Sequence, residues 1–254
     1  MNDAAALPFA APCRRLPPGA PWQWLRLGWN DLRRAPRQSL GWGLVTAALS
    51  LGVSLLAWRF GSYWAVLTML SGFVFVAPLI AIAPYSISSQ LSRGETPSLR
   101  RCLADQLQLR GTAMVFALVL LVIFLVWARA ASMISVFFPF EGQPAWRELV
   151  PYFTIGSAVG SIFALLCFCV SAFSLPLMHS HDVDAITAVV SSVNAVLRNK
   201  RTMLVWIAII IAAVLVGILT AFVALIVTMP LLGHATWHAC REALDTSNWP
   251  ERTD

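Results

Sequence analysis

The chain has 254 residues, of which 58% are hydrophobic and only 12% are charged, and its formal net charge is +6. A soluble domain carries about 25% charged residues, and a fold of this size has too little interior to bury such an apolar excess. The composition therefore excludes a soluble globular protein and predicts an all-α integral membrane protein. The basic residues flank the apolar runs, so they indicate membrane orientation rather than nucleic-acid binding.

The N-terminal segment is rich in proline and alanine and has no apolar core of the kind that a signal peptide needs. We predict that residues 1–20 form a disordered tail. Residues 21–244 are predicted to form a single transmembrane helical-bundle domain, and residues 245–254 a C-terminal tail.

Four apolar runs are long enough for a membrane-spanning helix, which needs about 20 predominantly apolar residues. They cover residues 39–58, 63–86, 112–128 with an extension to 138, and 152–178. A fifth region, residues 202–239, would be roughly 57 Å long as one helix, against about 30 Å of hydrocarbon. We therefore favour two spans there, with a tight turn near residues 217–220. The predicted fold is a polytopic bundle of six transmembrane helices, and five spans are the alternative.

Basic residues are concentrated in residues 1–38, 93–110 and 179–201, which together hold 13 of the 18 lysines and arginines. The intervening connections, residues 59–62 and 129–151, hold only Arg59, Arg129 and Arg147. The positive-inside rule places the three basic segments, and with them the N-terminus, in the cytoplasm.

Each basic segment also contains an amphipathic stretch that ends in basic residues just before the membrane. Helices of this kind lie in the membrane interface with their basic side chains at the lipid head groups. Their apolar stripes are Trp22, Leu25, Trp29 and Leu32; then Leu99, Leu103 and Leu107; then Ile186, Val189, Val190, Val193 and Leu197.

A Pro-Leu pair recurs late in an apolar run, at Pro78, Pro176 and Pro230. Each pair is followed by a polar stretch: SISSQLSRG, HSHDVDA and HATWH. We interpret the prolines as helix kinks. We also predict a structural unit that is repeated three times, in which an interfacial helix is followed by one span that leaves the cytoplasm and a second span that returns to it.

Three stretches resemble one family of membrane proteins. Residues 71–98, 173–200 and 230–242, the last of which reads PLLGHATWHACRE and is the most specific, are similar to domain-of-unknown-function family 2189. This is a bacterial family of predicted integral membrane proteins, and the likeness runs from about Trp24 to Glu242. The resemblance implies an inner-membrane location and supplies no established activity. Relatives are expected to carry tyrosine at Cys240 and aspartate at His179 or His181.

His234 and His238 share one helix face because they are four residues apart. This spacing is able to place two imidazoles on one metal or haem, with a third ligand from His179 or His181. Two ligands do not complete a zinc site, and no glutamate lies between them. The interpretation that we favour is structural: polar residues end a span at the head groups, with Trp237 in the aromatic belt.

Two further groups of polar residues are candidates. His179 and His181, followed by Asp182 and Asp184, are typical of a metal loop or, more often, of a capped helix start. The outer side carries Arg129, Glu141, Arg147 and Glu148, which we expect to reach the interface rather than to form a site.

The five cysteines, Cys13, Cys102, Cys167, Cys169 and Cys240, form no CxxC motif, and we interpret them as small hydrophobic residues. No span carries Asp, Glu or Lys in its middle, and no phosphate loop, G-x-S-x-G or HExxH motif is present. We therefore predict a protein that is not an enzyme, with no catalytic residue and no cofactor.

The leading hypothesis is an accessory, scaffold or assembly factor of the bacterial inner membrane that contacts lipid and other inner-membrane proteins, and no nucleic acid. One alternative is a transporter or permease-like module for a lipid or small hydrophobic molecule. A second is a metal- or haem-binding protein that uses His234 and His238.

Overall fold

The computed structural model describes residues 8–60, 82–138 and 146–252. Every regular element within these residues is an α-helix, so the predicted all-α class is confirmed, whereas the three repeated hairpins stay a prediction. In chain order the helices are α1 (Ala20–Arg34), α2 (Pro36–Phe60), α3 (Ile82–Ser92), α4 (Leu99–Gln108), α5 (Arg110–Phe137), α6 (Trp146–Ser171), α7 (Ser174–Ser180), α8 (Ala185–Arg198), α9 (Lys200–Leu219) and α10 (Leu225–Ala243).

Four stretches of the described residues are long and apolar enough to cross a membrane: Pro36–Leu56, Arg110–Ile134, Leu149–Ser180 and Lys200–Leu219. They coincide with the first, third and fourth predicted spans and with the start of the fifth region. In three of them only 22% of the most apolar window is buried inside the protein. An apolar exterior of this extent indicates a lipid environment, and the protein is a membrane protein. The second predicted span lies outside the described residues except for residues 82–86, and so does Pro78.

The long apolar region at residues 202–239 is divided into two helices, as predicted. α9 ends at Leu219, and the turn at residues 220–224 contains Ala221 and Phe222 with φ of 48° and 69°. Gly217 permits the close return of α10, because a Cβ there would lie 2.6 Å from Leu225 Cδ2. The observed turn at residues 220–224 therefore overlaps the predicted turn, residues 217–220, only at residue 220. The number of six spans stays a prediction.

Helix α10 packs against α1, α2 and α3, and two glycines set its distance from the first two. A Cβ at Gly28 of α1 would lie 2.8 Å from the backbone nitrogen of Ala235. A Cβ at Gly43 of α2 would lie 2.0 Å from the carbonyl oxygen of Ile226. This carbonyl is four residues before Pro230, which has no N–H to donate to it. Gly43 therefore lets α2 approach α10 where Pro230 interrupts its hydrogen-bond ladder.

The predicted span over residues 152–178 is broken between α6 and α7. Pro176 lies in the first turn of α7, where its missing N–H costs little. The break is held by Ser192 of α8, whose hydroxyl accepts from the Phe173 N–H at 3.1 Å and donates to the Cys169 carbonyl at 2.8 Å.

The N-terminal segment is hydrogen-bonded to the bundle at residues 11–16, which lie within the range that the sequence predicts as a disordered tail. The Ala11 N–H donates to Ser191 Oγ at 2.8 Å, and the Leu16 N–H to Asn199 Oδ1 at 2.8 Å. Polar side chains of α8 thus satisfy backbone groups that a proline-rich segment is unable to pair by itself.

Helix α4 turns its apolar stripe outward, because Leu99, Leu103 and Leu107 are 46%, 56% and 65% exposed. The stripe of α8 is divided: Ile186 and Leu197 are exposed, whereas Val189 and Val193 pack against the core. The inward face of α8 carries mostly small side chains, which permits close helix packing; it consists of Ala185, Thr187, Ala188, Ser191, Ser192, Ala195 and Val196.

Helix α1 divides its predicted stripe between two faces. Trp22 and Trp29 are exposed, whereas Leu32 is buried together with Trp24 and Gly28 on the face that meets α10. The reason is the close contact at Gly28, which turns this face of α1 toward the protein interior.

Candidate functional site

The polar stretches that follow the three Pro-Leu pairs meet in one place. Ser88 on α3 lies 2.8 Å from the Nδ1 atom of His234 on α10. His179 at the end of α7 contacts Trp237 edge to face, with ring centroids 5.9 Å apart. The stretches are about 50 to 150 residues apart in the chain, so this meeting point is the natural candidate for a functional site.

His234 is the centre of a buried hydrogen-bond network. Its ring is 0% exposed, and Nε2 lies 2.9 Å from the hydroxyl of Ser39 on α2. The Ser88 hydroxyl has one proton and donates it to Asp31 Oδ2 at 2.8 Å. Ser88 must therefore accept from His234, which places a proton on Nδ1. In the neutral ring Nε2 then accepts from Ser39.

His238 lies one turn further along α10 and completes the network. Its Nε2 atom is 2.8 Å from Asp31 Oδ2, and the two side chains are 21% and 8% exposed. Burial raises the pKa of Asp31, but the hydrogen bonds from His238 and Ser88 outweigh burial and leave this pKa below its ordinary value. Asp31 is therefore a buried carboxylate that joins α1 to α3 and α10. We call Asp31, Ser39, Ser88, His234 and His238 the histidine junction.

The contact between α1 and α10 continues beyond the histidine junction. Trp24 Nε1 donates to Glu242 Oε2 at 2.6 Å, and the Trp24 ring packs edge to face on Trp206 of α9 at 5.5 Å. Trp24, Gly28 and Asp31 have the spacing of one helix face, and all three are buried. This face holds α1 against the end of α10.

The predicted metal ligands His234 and His238 are engaged within the histidine junction. Both ring nitrogens of His234 are hydrogen-bonded to serines, and His238 faces Asp31. His181 Nδ1 is instead 2.8 Å from Ser180 Oγ, and His179 contacts Trp237. Within residues 8–60, 82–138 and 146–252, no group of three His, Cys, Asp or Glu side chains is placed to hold a metal. The metal and haem interpretations stay predictions.

The second candidate loop forms a helix cap. Asp184 accepts from the N–H groups of Ile186 and Thr187 at 2.8 and 2.9 Å, and the hydrogen bonds from Thr187 lower its pKa. Asp182 lies 3.6 Å from the guanidinium of Arg252. The predicted capped start of α8 is confirmed, and Asp184 is its N-cap residue.

The remaining candidate residues are spread over the structure. Arg129 and Arg147 are exposed on α5 and α6, Glu141 lies outside the described residues, and the interfacial interpretation of the outer charges stays a prediction. All five cysteines are described and none forms a disulfide. Cys102, Cys167 and Cys240 are buried, as expected for small hydrophobic residues, and Cys102 also accepts a hydrogen bond from Gln90 Nε2 at 3.5 Å.

Sequence reasoning missed three members of the histidine junction: Asp31, Ser39 and Ser88. Only Asp31 carries a local signal, because it is the one acidic residue of α1 that shares a face with Trp24 and Gly28. Ser39 and Ser88 lie 195 and 146 residues from His234 in the chain, and nothing in their local sequence indicates the contact.

Comparison with known proteins yields one match. The model of the family DUF2189, predicted integral membrane protein, matches residues 66–180. No curated protein and no solved structure matches the chain. The matched range contains Ser88 and His179 but ends before residues 230–242, the stretch thought to be most specific. Over residues 66–180 the resemblance is nevertheless confirmed, because this part of the chain matches DUF2189, a family of predicted integral membrane proteins.

Proposed function

We propose that this protein is a non-enzymatic accessory, scaffold or assembly factor of the bacterial inner membrane, which binds another membrane protein through the outer surface of its helices. The observation that supports this proposal is a contrast. The polar groups of the histidine junction tie helices together in the interior, while the apolar surface of the spans faces outward.

The interior supports a structural role. A general base needs an open position at which a substrate reaches its nitrogen or oxygen. His234 is fully buried with both ring nitrogens hydrogen-bonded, and Asp31 accepts from both Ser88 and His238. These groups act between four helices of the same chain.

The exterior offers surface for a partner. Helix α2 contacts α10 and α3 along one side, and its other side carries exposed leucines. These are Leu44, Leu49, Leu51, Leu55 and Leu56. Such a face is stable against lipid or against another transmembrane helix. The exposed leucines of α4 are suited to the same interface from the cytoplasmic side.

The proposed topology has six spans with both termini in the cytoplasm. Support for an even number of spans comes from contacts between the two ends of the chain. The Arg14 N–H donates to the Ala243 carbonyl at 2.8 Å, and the Asp245 N–H donates to the Pro12 carbonyl at 2.7 Å. Two chain ends that are hydrogen-bonded to each other must lie on the same side of a bilayer. The basic residues of the N-terminal segment favour the cytoplasmic side.

Site-specific photo-crosslinking in cells tests the proposal. A photoreactive residue is introduced separately at Leu49 of α2, Leu121 of α5 and Ile211 of α9, which are exposed on three different helices. We expect one face to capture the same protein reproducibly and the other two to yield lipid adducts. The captured protein is also expected to co-purify in mild detergent. Lipid adducts at all three positions, together with a lone purified monomer, would contradict the proposal.

The transporter alternative was drawn from the Pro-Leu kinks and stays a prediction. At Pro230 the backbone of α2 packs closely on the freed carbonyl of Ile226, through Gly43. We therefore do not extend the proposal to transport.

A further inference from the structure

A second polar region lies next to the histidine junction, on the other side of α3. It is a small cavity between α3, α4, the end of α7 and the C-terminal tail, and we call it the arginine cavity. Its free volume is about 20 Å³, more than the about 10–15 Å³ that one water needs. The side chains that matter in its wall are Gln90, Arg93, Arg101, Asp105, His179 and Arg252.

Carboxylates outside the cavity hold two of the wall arginines in place. Arg101 Nη1 lies 2.7 Å from Glu95 Oε2, and Arg252 Nη2 lies 3.6 Å from Asp182 Oδ1. Each pair uses one terminal nitrogen of a guanidinium that has five N–H donors in all. The carboxylates therefore orient the two arginines, and the Nε–H of Arg252 is not used by its carboxylate partner.

Two nitrogen atoms in the wall are buried and have no hydrogen-bond partner in the described part of the chain. They are Nε of Arg252 and Nδ1 of His179, a residue that is only 8% exposed. The indole nitrogen of Trp237, whose ring contacts His179, is a third. The arginine and indole N–H groups are donors only, and an unpaired buried donor is costly. These buried donors therefore lack an acceptor, which points to a ligand that supplies oxygen atoms.

We propose that the arginine cavity binds a phosphate group, carried by an acidic phospholipid or present as free phosphate. Phosphate oxygens accept from the Nε–H of Arg252 and from His179 when Nδ1 carries the proton. Guanidinium groups bind phosphate through paired N–H donors, and the wall contains three arginines against the single carboxylate of Asp105.

The position of the arginine cavity suits a lipid head group. Arg101 and Asp105 face it from α4, the helix whose leucine stripe is exposed. A phospholipid with its phosphate in the cavity would keep its acyl chains outside the cavity, against the apolar exterior of the protein. Free phosphate makes the same polar contacts without this apolar contact, so the two sources are separable by experiment.

Thermal unfolding of the full-length protein in mild non-ionic detergent provides the test. A thiol-reactive dye reports unfolding when it reaches Cys102 and Cys240, which are buried in the fold. The additives are inorganic phosphate, short-chain phosphatidylglycerol, and a short-chain diacylglycerol that lacks phosphate. The variants are Arg252→Gln and Arg93→Gln in two different walls, with Arg26→Gln, exposed on α1, as the matched control.

We expect phosphatidylglycerol to raise the unfolding temperature saturably and diacylglycerol to have no such effect. Loss of one charged hydrogen-bond donor should weaken the apparent affinity about tenfold or more in Arg252→Gln. Arg26→Gln should bind as the wild type does.

If inorganic phosphate alone gives the full effect, the source is free phosphate. Two results overturn the proposal: no saturable shift with either phosphate compound, which would leave water as the occupant, or wild-type affinity in both cavity variants. If Arg252→Gln does not fold, the apparent affinity of Arg93→Gln for phosphatidylglycerol or phosphate tests the proposal instead.

Discussion

The histidine junction and the arginine cavity share α3 and treat their buried histidines in opposite ways. His234 follows Pro230 by four residues and is hydrogen-bonded through both ring nitrogens. His179 follows Pro176 by three residues, is buried as well, and has an unpartnered Nδ1. Residue type and place in the repeated pattern are nearly the same, but the partners differ. A satisfied buried histidine joins helices, whereas an unsatisfied one beside arginines indicates a place for a ligand.

The largest effect is expected on the side of the histidine junction, from Gly43→Ala. The added methyl would overlap the Ile226 carbonyl, 2.0 Å away, so α2 and α10 must separate. We expect a loss of about 3 kcal/mol or more, seen as a large drop in unfolding temperature. Gly41→Ala is the control in the same helix, because nothing lies within 4 Å of a Cβ there. Equal unfolding temperatures of the two variants would show that this contact is not formed.

The next effect is that of His234→Ala. The substitution removes both hydrogen bonds of the ring and leaves Ser39 and Ser88 without this partner in a buried position. We expect a loss of about 2–4 kcal/mol in the free energy of unfolding. Chemical denaturation in detergent measures it. A stability within experimental error of the wild type would remove the basis for a structural junction.

Asp31→Asn is expected to cost less, about 1–3 kcal/mol, because the amide keeps one acceptor oxygen. The pKa of Asp31 is lower in the folded protein than its ordinary value of 3.8. The stabilisation by the carboxylate is therefore complete above that value and is lost as the pH falls through the lower folded pKa. The difference between wild type and variant should be constant near neutrality and shrink below about pH 4. A difference that disappears already near pH 6 would contradict this assignment.

The smallest effect on stability is expected from His179→Phe, in the wall of the arginine cavity. The phenyl ring keeps the shape that packs on Trp237 and removes the unpartnered Nδ1. Without added phosphate we expect the stability to change by about 1 kcal/mol or less, in either direction. A loss of stability as large as that of His234→Ala would mean that both histidines stabilise the helix packing to the same extent.

The parts of the fold that were predictable are those that depend on local sequence. The hydrophobic lengths of α2, α5 and α9 follow from the thickness of a bilayer, and the cap at Asp184 follows from the residue types at the start of a helix. The break between α6 and α7 was missed because Ser192, from another helix, holds it.

The candidate site was predictable only in part. The spacing of His234 and His238 put both on one helix face, which the structure bears out through their shared link to Asp31. Their partners come from α1, α2 and α3, and His238 is 207 residues from Asp31. Contacts over such separations are set by helix packing at Gly28 and Gly43 rather than by any local pattern.

The most direct test of the account is the unfolding temperature of the wild type and of the His234→Ala/His238→Ala variant, each with a metal chelator and with added Zn²⁺. In the structure the two histidines join helices through Ser39, Ser88 and Asp31. We therefore expect the variant to unfold at a much lower temperature, and neither chelator nor Zn²⁺ to shift the unfolding temperature of the wild type. A wild type that is destabilised by the chelator and restored by Zn²⁺, with a variant that responds to neither, would contradict the account and establish a metal site.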